Sequence, residues 1–170
     1  MAYTRDSQRS RLYAAESVIY GKYKSKWAVK YSQYDLNSNT PIVFCQRYVD
    51  LILSQKFITK RYGQRRIAVK SGRGGAMAIG GSIISLGRWA RDESVVLHEI
   101  AHCLTPFSKH GPEFAGVYLF LVRSVLGNEA ATELRQSYRT NRVRYNNNHI
   151  PVIKKEIKKM VVRPNISFYY

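Results

Sequence analysis

A chain of 170 residues is long enough for one domain with its own hydrophobic core. Apolar residues make up 45% and charged residues 23%, an ordinary globular composition, and no apolar run reaches the roughly 18 residues of a membrane span. Against 28 lysines and arginines stand only 11 acids, and the formal charge of +17 attracts polyanions, nucleic acid first among them. The opening "MAYTRDSQRSRLYAAES" lacks an apolar h-region, so no secretory signal is expected. Two cysteines, Cys45 and Cys103, do not make a disulfide framework, and a reducing, cytoplasmic setting is expected.

The first predicted element is a helix from Ser7 to Tyr20 with Leu12, Ala15, Val18 and Ile19 on one face. "KWAVKYSQYD" reads as a strand or a loop. Thr40-Pro41 predicts a helix start with Thr40 as N-cap; the helix runs to about Phe57 and carries Val43, Tyr48, Leu51 and Ile52. "RRIAVKSG" predicts a short strand. "GGAMAIGGSIISLG" predicts more strand, with Gly80-Gly81 as a hairpin or bulge. Between Asp50 and Asp92 there is no acid but nine basic residues. One domain is expected over residues 1–140, followed by a basic extension over 141–170. In that tail Ile153, Ile157, Met160 and Val161 fall on one side of a possible helix and the lysines on the other.

Three of the four histidines fall in "VVLHEIAHCLTPFSKHGPEF", from Val95 to Phe114. Asp92, Glu93 and Ser94 suit a helix N-terminus, and "ESVVLHEIAHCL" continues with Val96, Leu97, Ile100, Ala101 and Leu104 at helical spacing. At about 100° per residue, His98 and His102 are then about 40° apart on one face, one turn above the other, and can bind one zinc ion. Glu99 is turned about 100° from His98, so it can approach a water on the metal without being a ligand. This is the H-E-x-x-H arrangement, in which Glu99 is the general base.

A catalytic zinc site needs a third protein ligand and an open position. Pro106 ends the first helix and Gly111-Pro112 opens a second, "PEFAGVYLFLVRSVLG", so the intervening loop can return His110 to the metal. Glu113 is the rival ligand, but it also suits the first turn of that second helix. Other readings are an amphipathic helix with ordinary histidines and a structural zinc site. Structural sites are usually rich in cysteine, and Cys103 points about 100° away from His102.

"HEIAHCLTPFSKHGPEF", with "GRWARDESVVLHEIAH", the "HGPEFAGVYLFLVRSVLG" helix and "NEAATELRQSY", resembles small metallohydrolases of actinobacteria and their phages. The resemblance covers about Gly80 to Tyr138. More distantly the chain is similar to SprT-like and Spartan-type metalloproteases, which pair H-E-x-x-H with a later His-Gly-x-x-aromatic element. The resemblance implies zinc on His98, His102 and His110, with Glu99 as general base. It also implies a minimal zincin-like α+β fold, with helices around a small sheet and an edge strand beside the active-site helix. A bacterial host cell, with a phage-encoded origin, fits the same resemblance.

The expected activity is zinc-dependent hydrolysis, with a protein or peptide as substrate and DNA or RNA as a further partner. "GGSIISLGR" is expected to supply the edge strand, where an extended peptide adds by main-chain hydrogen bonds. Arg88, Arg91 and Tyr118 are candidates for stabilising the oxyanion. Hydrolysis of a non-peptide amide shares this chemistry. The alternative from another class is a non-enzymatic phage structural or nucleic-acid-binding protein with a structural or vestigial metal site.

Overall fold

Asp92 starts the helix that organises the domain. Its side chain accepts a hydrogen bond from the Ser94 amide at 2.9 Å, which satisfies one of the orphan N–H groups at the helix start. The computed structural model describes residues 6–25 and 35–146. In chain order these form α1 (Arg9–Glu16), α2 (Ile42–Leu53), α3 (Lys56–Tyr62), β1 (Ala68–Ser71), β2 (Ala76–Ile79), β3 (Ile83–Leu86), a 3-10 turn (Arg88–Ala90), α4 (Glu93–Leu104), α5 (Pro112–Val125) and α6 (Asn128–Thr140). The class is α+β: six α-helices and one three-stranded sheet among the described residues. No helix there is long and apolar enough to cross a membrane.

α4 packs on the sheet with one side and on α5 with the other; α6 covers α5, and α1 lies against α6. α4 and α5 are buried over almost their whole length, so the core lies between them and the sheet. In β2 and β3 burial alternates as the two-residue period requires. Ile84 and Leu86 of β3 are fully buried, whereas Met77 and Ile79 of β2 are exposed. β2 and β3 form an antiparallel hairpin, and Gly80 and Gly81 both take positive φ (58° and 73°) in its turn, where a side chain would strain the backbone.

The sheet order is β1-β3-β2, with β1 and β3 parallel. The segment expected to form the edge, Ser82 to Leu86, therefore lies mostly in the central strand. Among the described residues the edge beside α4 is β2. Strand-like composition marked both segments, but it does not fix which neighbour a strand takes.

Other boundaries also shift. α1 is regular only over Arg9–Glu16; beyond it the Ile19 amide bonds the Glu16 carbonyl three residues back, and Gly21 has φ 65°. β-branched Val18 and Ile19 favour that loosening. The helix from Pro41 breaks at Ser54–Gln55 and resumes as α3. Pro41 is its cap, and the Thr40 hydroxyl accepts from the Asn37 amide instead. Its buried face is Cys45, Tyr48, Val49, Ile52 and Leu53, while Val43 is half exposed. Residues 141–146 fold back on α5: the Asn146 amide bonds the Pro112 carbonyl, and a Cβ on Gly116 would meet the Asn146 oxygen at 2.3 Å. The "KWAVKYSQYD" segment, but for Asp35, and the amphipathic tail pattern lie outside the described residues.

Candidate metal centre

The helical spacing of His98 and His102 on α4 is realised, with ring centroids 4.9 Å apart. After Leu104 the chain turns through Thr105, whose hydroxyl bonds the Ala101 carbonyl at 2.7 Å, and through Lys109 at φ 45°. That turn returns His110 just before α5, where Pro112 stands in the first turn. Candidate ligand atoms of His98, His102 and His110 all lie within 4.8 Å of one another. His102 Nε2 and His110 Nε2 are 3.1 Å apart. Two nitrogens at about 2.0–2.1 Å from a tetrahedral ion stand about 3.3 Å apart, so these residues fit a metal ion.

Two carboxylates support the imidazoles from behind. Glu16 Oε2 lies 2.9 Å from His98 Nδ1, and Asp6 Oδ2 lies 2.6 Å from His110 Nδ1. A carboxylate only accepts, so each pairing places the ring hydrogen on Nδ1 and leaves the Nε2 lone pair free for a metal. Glu16 is fully buried, and the same oxygen accepts from the Tyr20 hydroxyl at 2.9 Å. Gln8 donates to the His110 carbonyl at 2.7 Å and fixes its backbone. Phe114 is fully buried among the rings, with centroids 4.2 Å from His102, 4.8 Å from His98 and 5.2 Å from His110. The aromatic position of the His-Gly-x-x-aromatic element thus packs against every one of the three histidines.

Burial, together with the neighbouring histidines, pushes His102 down to about 3 and lowers His110, so both rings are neutral and ready to ligate at ordinary pH. His98 is raised: burial works against the charge, but the adjacent Glu16 outweighs it.

Glu99 is buried beside this cluster and outside it. Burial raises its carboxyl above the ordinary range, against the opposing pull of His98 and of a hydrogen bond from the Ala78 amide on β2. His98 and Glu99 line a cleft of about 750 Å³ whose other walls include Tyr13, Tyr20, Leu36, Ala76, Trp89 and Val95.

The remaining candidates do not join the histidine cluster. Glu113 is exposed and accepts from the Ser108 hydroxyl at 2.5 Å, in the first turn of α5. Cys103 is a free, buried thiol that burial pushes up to about 12. Arg91 donates to the Thr40 carbonyl at 2.6 Å and to Ser71 at 3.2 Å, and buried Tyr118 donates to the Ser94 carbonyl at 3.2 Å; both hold the fold. Arg88 is exposed on the 3-10 turn, and none of these three lines the cleft. His149 lies outside the described residues.

Sequence reasoning missed the contribution of α1 and the residues flanking it. Asp6, Arg9, Tyr13, Glu16 and Tyr20 recur at steps of three and four residues, a polar stripe beside the apolar one. Such a stripe is normally a solvated face; here Glu16 and Asp6 reach the clustered histidines His98 and His110. No protein-family model, curated protein or solved structure matches the chain, so a functional reading rests on the site itself.

Proposed function

We propose that this protein is a zinc-dependent metallohydrolase of minimal zincin-like form, acting as a peptidase and related to the actinobacterial, phage and SprT-like enzymes it resembles. The observation that carries the reading is the convergence of His98, His102 and His110 with Glu99 beside them, at a cleft bounded by an edge strand. Three converging imidazoles suit zinc, and a site with three protein ligands leaves room for substrate, unlike a closed structural site. A zinc ion held there would supply Lewis acidity, polarising a carbonyl and acidifying a water.

The chain's own residues do the rest. Glu99 takes a proton from the attacking water and delivers it to the leaving amine; its raised pKa brings it nearer to the ideal for that exchange. Glu16 and Asp6 hold two imidazoles in one tautomer. Ala76 and Ala78 pair with Leu86 and Ile84, and the Ala78 amide turns to Glu99, away from β3. By the alternation of antiparallel bonds, the Ala76 main chain and the Ala78 carbonyl also face away from β3, ready for an extended peptide. Eight of the nine cations between Asp50 and Asp92 are exposed, and this field supports a substrate held near DNA or RNA.

Metal analysis of untagged protein, paired with cleavage of denatured casein, tests the reading. The expected result is about one zinc per chain and cleavage that Glu99→Gln lowers by about two to four orders of magnitude while zinc stays bound. Zinc retained without any Glu99-dependent cleavage would favour the non-enzymatic alternative.

A further inference from the structure

Water addition to a peptide carbonyl moves a bonding pair onto the carbonyl oxygen, and a preorganised donor at that oxygen is worth much of the rate. Arg91 and Tyr118 are committed elsewhere in the fold. We propose that Tyr13, backed by Arg9, is the hydrogen-bond donor to this oxyanion, a role that rests on the peptidase reading above.

Tyr13 stands at the centre. Its ring centroid is 5.1 Å from that of His110 and 5.7 Å from that of His98, and it lines the same cleft as His98 and Glu99. It is 38% exposed, so its side chain is not sealed in the core. Of the other tyrosines near His98, Tyr20 donates to Glu16 and Tyr118 to Ser94. The Arg9 guanidinium lies 5.4 Å from the Tyr13 centroid, so a positive charge stands beside the phenol. That nearby cation favours negative charge gathering at an oxygen held by the Tyr13 hydroxyl.

The step balances as follows. The water oxygen forms a bond to the carbonyl carbon while Glu99 takes one water proton, and the C=O π pair moves onto oxygen. Tyr13 donates a hydrogen bond to that oxygen and keeps its proton. When the pair returns, the C–N bond breaks and the proton held by Glu99 goes to the nitrogen.

The test uses the zinc-loaded full chain, Tyr13→Phe and Arg9→Met, with two probes: denatured casein, and a peptidyl phosphinate carrying an anionic tetrahedral centre in place of the scissile amide. Phenylalanine keeps the ring contacts to both histidines. Tyr13→Phe is expected to lower kcat on casein about 10²- to 10³-fold with KM nearly unchanged. It should weaken the phosphinate by a comparable factor in calorimetry and leave the zinc affinity of the apo chain unaltered. Arg9→Met should give a smaller loss of the same kind. Equal phosphinate affinity in wild type and Tyr13→Phe overturns the proposal, as does a wild type that does not bind the phosphinate. A parallel fall in zinc affinity also overturns it, because Tyr13 would then be holding the imidazoles. Tyr13-dependent phosphinate binding without casein cleavage would sink the peptidase reading and leave the donor in place; casein cleavage indifferent to Tyr13 would do the reverse.

Discussion

Glu16→Gln separates a carboxylate that serves the metal centre from one that only serves the fold. Glu16 is fully buried, with Oε2 at 2.9 Å from both His98 Nδ1 and the Tyr20 hydroxyl. Glutamine keeps the volume and an accepting oxygen, but it removes the charge and buries an NH₂ group. A hydrogen bond to a charged group contributes about 1.5–3 kcal/mol and a neutral one about 0.5–1.5 kcal/mol. The difference of about 1–2 kcal/mol is a factor of about 5–30 in affinity, near the low end of the 10- to 100-fold losses seen when partners of ligating histidines are removed. The assay is zinc competition against a chromophoric chelator. It belongs at pH 8 or above, because Glu16 also raises His98, and its loss would relieve proton competition at lower pH. Glu93→Gln is the control: Glu93 is equally buried, but it accepts from the Ser25 amide and the Tyr48 hydroxyl, both at 2.9 Å. It should cost stability and leave zinc affinity alone. Unchanged zinc affinity in a folded Glu16→Gln chain, or equal losses in both variants, would refute the assignment.

His110→Ala should abolish tight zinc binding while Glu113→Ala leaves it within about twofold, since the exposed Glu113 pairs with Ser108; the reverse order in zinc titrations would make Glu113 the ligand. The apo chain should lose stability on acidification below about pH 6.5, because His102 and His110 have lowered folded-state values and the unfolded chain binds protons first. Each contributes up to about 1.4 kcal/mol per pH unit. Raised His98 acts the other way, with stability present at low pH and lost as pH climbs through its folded value, so it adds no slope below pH 6.5. Raised Glu93 and Glu99 oppose the trend, so urea midpoints should be compared between wild type and His102→Gln; identical pH profiles would contradict the assignment for His102. Binding to DNA or RNA should weaken steeply with salt, and both Arg65→Ser/Arg66→Ser and truncation after Asn148 should lower the slope without changing zinc content. No binding to either nucleic acid at low ionic strength would remove the reason for placing the substrate there.

Local chemistry made much of this fold legible. Asp92 announces α4, Pro112 announces α5, Gly80-Gly81 marks the hairpin, and the four-residue spacing of His98 and His102 places both on one face. Long-range placement was not legible in the same way. The strand order depends on β1 pairing with β3, which no local pattern encodes. The break at Ser54–Gln55 carries neither Gly nor Pro, so the helical pattern read straight through it.

The least legible residues are those with the most specific partners. Glu16 lies 82 residues from His98 in sequence, and Asp6 lies 104 residues from His110. The H-E-x-x-H motif is local because one helix turn must supply two ligands. The carboxylates that hold those ligands only need to arrive from another element, so any sequence distance serves. What sequence can show is a conflict: a glutamate at position 16 beside Leu12, Ala15 and Ile19 on a helix face that has to be buried. A buried carboxylate is costly unless it is hydrogen-bonded or paired. Violations of local patterning tend to collect at functional sites. A fully buried Glu16 bonded to His98 and Tyr20 is such a violation with its compensation present, which makes α1 part of the candidate metal centre as well as part of the core.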